Sequence, residues 1–297
     1  MKITPRTKKL LTIALLVGVA VTLTGCTVPT DANGQIILIE PSTAFRSVMA
    51  DESWFSALFV WPLAQLINFL TPYVGVGIAI SLITIVVNAV LAIATFKSTV
   101  GMQEMQLIQP ELERIQRKYE GRDDALSKNK MAQETAALYQ KHHINPFGTL
   151  VVSFIQLPLI MAMYMAVQRA SAVANGTFLG LNLKLSPLQG LQEGAWLYIA
   201  IFVLMGICQF LSMWVPQHFA KVKAEKIAAK HHRKPEPVKQ SKFMQIYMMI
   251  MILGFGLMWP TAMTVYWTIN SIVNILKTVL VQKYIDMQEE KKGSSRR

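Results

Sequence analysis

The chain has 297 residues, 53% of them hydrophobic and only 15% charged, with a mean hydropathy of +0.37. That composition excludes a water-soluble domain of this size and selects the integral-membrane class. The net charge of +12 is compatible with nucleic-acid binding, but the basic residues gather between apolar runs and at the C-terminus, as a positive-inside bias places them. Two cysteines, Cys26 and Cys208, are too few for a disulfide framework.

Lys2, Arg6, Lys8 and Lys9 form a positive n-region, and Leu10 to Leu23 an apolar core of signal-peptide length. The run ends Leu23-Thr24-Gly25-Cys26, which resembles a bacterial lipobox. That resemblance implies a lipoprotein-type signal peptide over 1–25, with lipid such as palmitate on Cys26 tethering the mature N-terminus outside. An uncleaved signal anchor with an incidental cysteine is the other reading. Residues 26–53 are polar, contain Pro29, Gly34 and Pro41, and read as an extended extracellular linker. Residues 54–72 are apolar but interrupted by Pro62, Gln65 and Asn68, with Trp54 and Trp61 suited to the headgroup level. They predict an interfacial helix on the outer face, a short extra span being the alternative.

The first clear span is 75–96, ending at Lys97 on the cytoplasmic side. Residues 97–146 predict a cytosolic helical hairpin. In its first arm Met105, Ile108, Leu112, Ile115 and Tyr119 recur at three- and four-residue steps and make one apolar seam. Gly121 permits a stop, Asp123 or Asp124 caps the next helix, and Met131, Thr135, Leu138 and His142 repeat the spacing more weakly. The second span, 147–167, is uncharged and follows the Asn145-Pro146 turn; 170–194 is an exterior loop and 195–215 the third span. A basic cytosolic loop, 216–242, carries Lys221, Lys223, Lys226, Lys230, Arg233, Lys234, Lys239 and Lys242 and is broken by Pro235 and Pro237. Spans 243–258 and 261–281 meet at Trp259-Pro260, and a basic tail, 283–297, is expected to be disordered beyond Gly293. The expected fold is therefore all-α and polytopic: five transmembrane helices around a hydrophilic groove, a cytosolic hairpin and an outer interfacial helix. An N-outside, C-inside topology puts every strongly basic segment on one side.

The predicted spans hold no acidic or basic residue apart from end positions such as Lys277, which counts against an ion-coupled transporter. They do carry uncharged polar residues at helical spacing. Ser81, Thr84, Asn88 and Thr95 share a face of the first, and Thr149, Ser153 and Gln156 a face of the second. Gln209 and Ser212 lie mid-way along the third; Thr264, Trp267, Thr268 and Ser271 line the fifth, with Asn270 and Asn274 beside them. Taken singly these residues read as interhelical glue. Taken together they read as a wetted groove, because an amide facing lipid needs a partner or water. No nucleotide motif, metal-ligand spacing or nucleophile–base pair accompanies them, so neither an enzyme nor a cofactor is expected. His142-His143 and His231-His232 are adjacent pairs without the i, i+4 geometry of a helical metal site, and Cys208 reads as a buried small residue.

Several blocks carry a family resemblance. They are Gln109-Pro110-Glu111-Leu112 with Ile115, Lys118 and Tyr119, then Leu138-Tyr139, Asn145-Pro146-Phe147-Gly148 and Ile155-Gln156-Leu157-Pro158, and finally Pro260, Tyr266-Trp267 and Asn270. In order and spacing, over roughly Trp54 to Ile285, the chain resembles a YidC-type membrane protein insertase of the YidC/Oxa/Alb group, in the five-span lipoprotein form common in Gram-positive bacteria. The resemblance implies a groove open to cytoplasm and lipid, lined by a glutamine on the third span, an aromatic on the last and an arginine on the first. Gln209 and Trp267 match the first two. The arginine position falls on Asn88, which offers hydrogen bonds only, so this chain is expected to rely less on charge; Lys97 at the mouth is the other source. The implied partners are newly made membrane proteins, membrane lipid, the Sec translocon, and the ribosome through the Lys221 to Lys242 loop and the tail. No small-molecule substrate is implied. The rival reading, a small-molecule transporter or channel, predicts solute flux and usually an inverted repeat, and the sequence has no such repeat.

Overall fold

An apolar segment in lipid can satisfy its backbone only within itself, so long uncharged runs become helices. The computed structural model describes residues 28–142, 144, 146–230 and 240–294, with the side chains of the helix at 146–169 described from Ile155 onward. The signal peptide over 1–25, Cys26, His143, Asn145, the His231-His232 pair, Arg233, Lys234, Lys239 and both loop prolines lie outside the described residues. A short helix α1 (Phe45–Asp51) is followed by a π-helical turn (Ser56–Val60) that runs into α2 (Trp61–Val74). Then come α3 (Val76–Ala94), α4 (Phe96–Leu107), α5 (Gln109–Lys118), α6 (Ala125–Lys141) and α7 (Pro146–Arg169). After α8 (Ser171–Asn175), a two-stranded ribbon, β1 (Thr177–Phe178) and β2 (Leu181–Asn182), precedes α9 (Pro187–Gln192). The chain closes with α10 (Leu197–Lys230), α11 (Gln240–Met258) and α12 (Thr261–Ser294).

Among the described residues four stretches are long and apolar enough to cross a bilayer: Ser56–Val74, Val76–Ala94, Leu197–Lys223 and Thr261–Gln288. Ile246–Met258 is a shorter apolar helix. The 24 residues of α7 reach about 36 Å at 1.5 Å per residue, and none before Arg169 is charged. The first stretch is helical straight through the polar positions that the sequence reading took as breaks. Pro62 falls where the π-helical turn gives way to α2, and Gln65 and Asn68 turn toward protein.

Two compact units make up the chain: Met1–Ile83 with Gln156–Lys184, and Thr84–Ile155 with Leu185–Arg297. In the first, residues expected to form an extended linker instead carry α1 and are pinned in place. Ile39 pairs in parallel with Ala170, its amide donating to the Arg169 carbonyl at 2.6 Å. The Asn68 amide donates to the Ile39 carbonyl at 2.6 Å and accepts from the Ala172 amide at 3.0 Å, while the Trp61 indole donates to the Thr43 carbonyl at 2.9 Å. Arg169 is only 1% exposed; its guanidinium forks onto both oxygens of Glu52, and its Nε donates to the Ile37 carbonyl at 2.8 Å. The ribbon folds Phe178 over Gly77, where any Cβ would stand 2.1 Å from the ring, so this position must be glycine.

In the second unit α10 and α12 pack along one another, and α4 packs against both. Each of the two long helices has 34 residues and continues beyond the predicted span: α10 through Pro216 to Lys230, α12 to Ser294. The added turns are rich in helix formers. They also keep an apolar contact, because Ala220, Val281 and Ile285 bury together with Leu107 of α4. The basic loop is thus helical in its first half, and the tail is helical from Lys283 to Ser294, residues 295–297 lying outside the described residues.

The hairpin follows its seam. Ile108, Leu112, Leu138 and Ile144 form a buried cluster, flanked by Met105, Ile115 and Tyr139. The first arm is two helices, since Pro110 restarts the chain as α5 just after Ile108. Gly121 takes φ +76°, and Asp124 caps α6 by accepting the Ser127 amide at 2.8 Å. Lys118 at the end of α5 and Tyr119 just after it both donate to Glu134 of α6 and tie the arms together.

Candidate functional site

A helix with residues at i, i+3, i+4 and i+7 presents them on one face, and on α12 that face is inward. Thr264 and Ser271 are fully buried, and Trp267 and Thr268 nearly so. α3 contributes Thr84 and Asn88, both buried, and α10 contributes Gln209 and Ser212, both half-buried. All eight belong to the second unit.

Among the described residues two hydrogen bonds between side chains join separate helices there. The Ser271 hydroxyl donates to Gln209 Oε1 at 2.7 Å, between α12 and α10. The Lys277 ammonium donates to Asn88 Oδ1 at 3.1 Å, between α12 and α3. The remaining groups close on nearby backbone: Thr268 on the Thr264 carbonyl (2.8 Å), Ser212 on the Gln209 carbonyl (2.8 Å), the Asn88 amide on the Thr84 carbonyl (2.9 Å). Thr264 reaches the Gly256 carbonyl of α11 at 3.5 Å. Trp267 stacks on Trp259 with ring centres 5.4 Å apart and planes 13° from parallel. Gly256 is close under this pair, where a Cβ would meet Met205 at 2.5 Å and the Trp267 ring at 3.5 Å.

Not every expected residue joins this group. Ser81 and Gln156 belong to the first unit, and the Ser81 hydroxyl donates to the Gly77 carbonyl of its own helix at 2.8 Å. Ser153 and Thr149 fall where side chains are not described. Cys208, expected to be buried, is half-buried.

Three polar residues of α12 were passed over or set to one side. Tyr266 and Asn270 are buried, and among the described residues the Tyr266 hydroxyl and Asn270 Oδ1 have no hydrogen-bond partner. Buried polar atoms in that state are rare and mark a place for water or a ligand. Lys277 was discounted as an end position, yet its ammonium reaches the residue on which the absent arginine was noted. The signal was available in the spacing, since Tyr266, Asn270, Asn274 and Lys277 are four, four and three residues apart. Among the described residues no group of three or more His, Cys, Asp or Glu is placed to hold a metal ion.

Residues 69–290 match the family model described as 60Kd inner membrane protein. The membrane protein insertase YidC 2 of Bacillus anthracis is 30% identical over 240 residues, which cover 80% of this chain and 84% of that one. The membrane protein insertase YidC of Oceanobacillus iheyensis is 29% identical over 278 residues, covering 93% and 97%. For the membrane protein insertase MisCA of Bacillus subtilis the figures are 26% over 270 residues, covering 90% and 88%. The matched stretch takes in the hairpin, the polar residues of α3 and α10 and the buried face of α12, and the chain belongs to the 60Kd inner membrane protein family.

Proposed function

We propose that this chain is a membrane protein insertase, which receives newly made integral membrane proteins and releases their hydrophobic segments into lipid. It works without covalent chemistry. The observation that carries this reading is the polar face shared by α3, α10 and α12, tied at Gln209–Ser271 and Asn88–Lys277, in a family whose relatives are named insertases. A charged side chain at the bilayer centre costs roughly 2.5–3.5 kcal/mol on insertion scales. A wetted groove formed by Thr84, Asn88, Gln209, Ser212, Thr264, Trp267, Thr268 and Ser271 shortens the dry path for a polar tail. Burial of the client's apolar segment in lipid then drives the transfer.

In this reading five helices cross the membrane, α2 lies at the outer surface, Cys26 carries the lipid anchor, and the C-terminus is cytoplasmic. The hairpin receives clients at the groove mouth. The basic end of α10, the residues after it and the C-terminal tail meet ribosomal phosphates; coupling to the Sec translocon is a further expectation. Photo-crosslinking groups at positions 88, 209 and 267, in full-length protein presented with a stalled single-span nascent chain, test the groove. Adducts at all three, and none from lipid-facing positions 86 and 203, are expected. Equal yields at the two sets of positions would overturn it.

A further inference from the structure

We infer that α10 carries a specific site for an anionic phospholipid: one acyl chain lies in an apolar groove between α10 and α11, and the phosphate is met by His218 and Lys221. The inference rests on α10 crossing the bilayer and not on the insertase reading, so the two stand or fall separately.

The groove has a volume of about 350 Å³, and its walls include Phe202, Val203, Gly206, Ile207 and Phe210 of α10 and Leu253 of α11. All its lining residues are apolar, and those of α10 fall within the stretch Leu197–Lys223 that is long and apolar enough to span a membrane. Gly206 lets the two helices close at this point, since a Cβ there would come 3.2 Å from Leu253 Cδ2. Water does not fill a space without polar partners, and an empty one forfeits the dispersion contacts of its lining, so hydrocarbon fills it. A helix about 10 Å across takes up roughly 400 Å³ in every turn. The groove therefore admits a single hydrocarbon chain and not the helix of a client.

The same face of α10 supplies the headgroup site. The helix runs unbroken to Lys230, and at about 100° per residue Val203, Ile207, Phe210, Trp214, His218 and Lys221 lie within roughly 80° of one another. Trp214 is 45% exposed and stacks on His218, with ring centres 4.8 Å apart and planes 20° from parallel. Tryptophan is a residue of the headgroup level. From Ile207 to His218 the helix rises about 16 Å, and half of a hydrocarbon core is about 15 Å. A chain that ends in the groove at Ile207 thus brings its phosphate to His218 and Lys221. The ammonium of Lys221 stands 3.8 Å from Glu225, with the two side chains 76% and 49% exposed, a pairing that water weakens and a phosphate can replace. Lys221, Lys223 and Lys226 outnumber that one glutamate, so the local field favours an anionic headgroup over a zwitterionic one.

The test uses purified full-length protein in vesicles of equal parts phosphatidylcholine and phosphatidylglycerol. A trace of one lipid or the other carries a photoactivatable group at the end of a chain, and adducts are mapped by mass spectrometry, per folded protein. The phosphatidylglycerol probe is expected to label residues 202–211 several-fold more than the phosphatidylcholine probe, whereas the exposed Val86 and Val90 of α3 take both equally. Lys221→Gln lowers groove labelling by the phosphatidylglycerol probe about fivefold, the worth of one lysine near an anionic surface, and Lys221→Arg keeps it. Ile207→Trp, at a position 53% exposed, fills the groove and lowers labelling there while leaving Val86 and Val90 unchanged. Equal labelling by the two probes, or no effect of Lys221→Gln, means unselective boundary lipid and overturns the inference. A preference that survives Ile207→Trp puts the chain elsewhere and overturns it as well. So does labelling that a single-span client abolishes and excess phosphatidylglycerol does not restore, which makes the client the occupant. None of these readouts involves insertion, so a protein that inserts nothing can still pass them.

Discussion

The two units treat their polar groups in opposite ways. In the first, the buried Asn68 and Arg169 are spent on closing the structure: Asn68 is used on both its oxygen and its nitrogen, and Arg169 on Glu52 and a backbone carbonyl. In the second, the polar face is equally buried on α3 and α12 and half-buried on α10, but only partly closed. Hydroxyls fall back on nearby carbonyls, Tyr266 and Asn270 keep buried atoms without partners among the described residues, and Lys277 meets no acid. A fully paired network rigidifies, whereas a partly paired one leaves capacity for something that comes and goes. Burial alone separates nothing here; hydrogen-bond completeness does.

Breaking the closed network has the largest expected effect. Glu52→Ala leaves the Arg169 guanidinium buried without its counter-charge, and loss of one partner of such a pair costs about 3–5 kcal/mol. Thermal unfolding of the detergent-solubilised protein is expected to shift down strongly, and insertion to fall only as the folded fraction falls. Asn68→Leu comes next: it orphans the Ala172 amide and removes a donor from Ile39, at about 1–3 kcal/mol. If either variant keeps its melting temperature, the first unit is not held by these contacts.

The same kind of substitution in the second unit is expected to do the reverse. Tyr266→Phe removes a buried hydroxyl that has no partner in the described structure, so stability stays within about 1 kcal/mol of the original or rises. Gln209→Leu loses a single inter-helix bond, again about 1 kcal/mol, yet insertion of a polar-tailed client is expected to drop several-fold. Melting curves measured beside insertion assays separate the two units directly. A Tyr266→Phe protein that melts much earlier would show that this hydroxyl does have a partner, and the contrast would collapse.

Much of this architecture was legible because lipid removes alternatives: an uncharged run of some twenty residues has only the helix available. The hairpin seam was legible for a related reason. Ile108, Leu112 and Leu138 recur at helical spacing, and the structure buries those same residues together. Helix ends were not legible, since α10 and α12 continue past charged residues on contacts such as Leu107 with Ile285, which are far apart in the chain. The closed network of the first unit was invisible for the same reason: nothing local in Glu52 or Arg169 announces a pairing across 117 positions. Lys277 is the instructive case. Read by position it was a boundary residue; only the Asn88 contact, 189 positions away, turns it into part of the site.

The smallest effect belongs to the hairpin, where a cross-link sits in water. Hydrogen bonds from Lys118 and then Tyr119 hold the Glu134 carboxyl below the usual carboxylate range, and the Glu134 bond raises the Lys118 ammonium above its own. A depressed carboxylate stabilises the fold above its unfolded value and loses that contribution as pH falls through its folded value. A raised ammonium stabilises below its unfolded value and loses that contribution as pH rises through the folded one. The link between α5 and α6 is therefore intact through the neutral range and fails at both extremes. Because the Lys118 and Glu134 side chains are 60% and 38% exposed, solvent screens the pair, and the Leu112–Leu138 cluster carries the hairpin in any case. Asp124, held low chiefly by its hydrogen bonds from Ser127, titrates in the same acidic window, so wild type must be compared with Glu134→Gln, which keeps that cap. Hydrogen exchange of α6 amides is expected to be modestly faster in Glu134→Gln at neutral pH, with the difference vanishing in acid below the usual carboxylate range, as the wild-type carboxylate protonates. A difference that persists in acid would mean that Glu134 acts through its shape and packing rather than its charge.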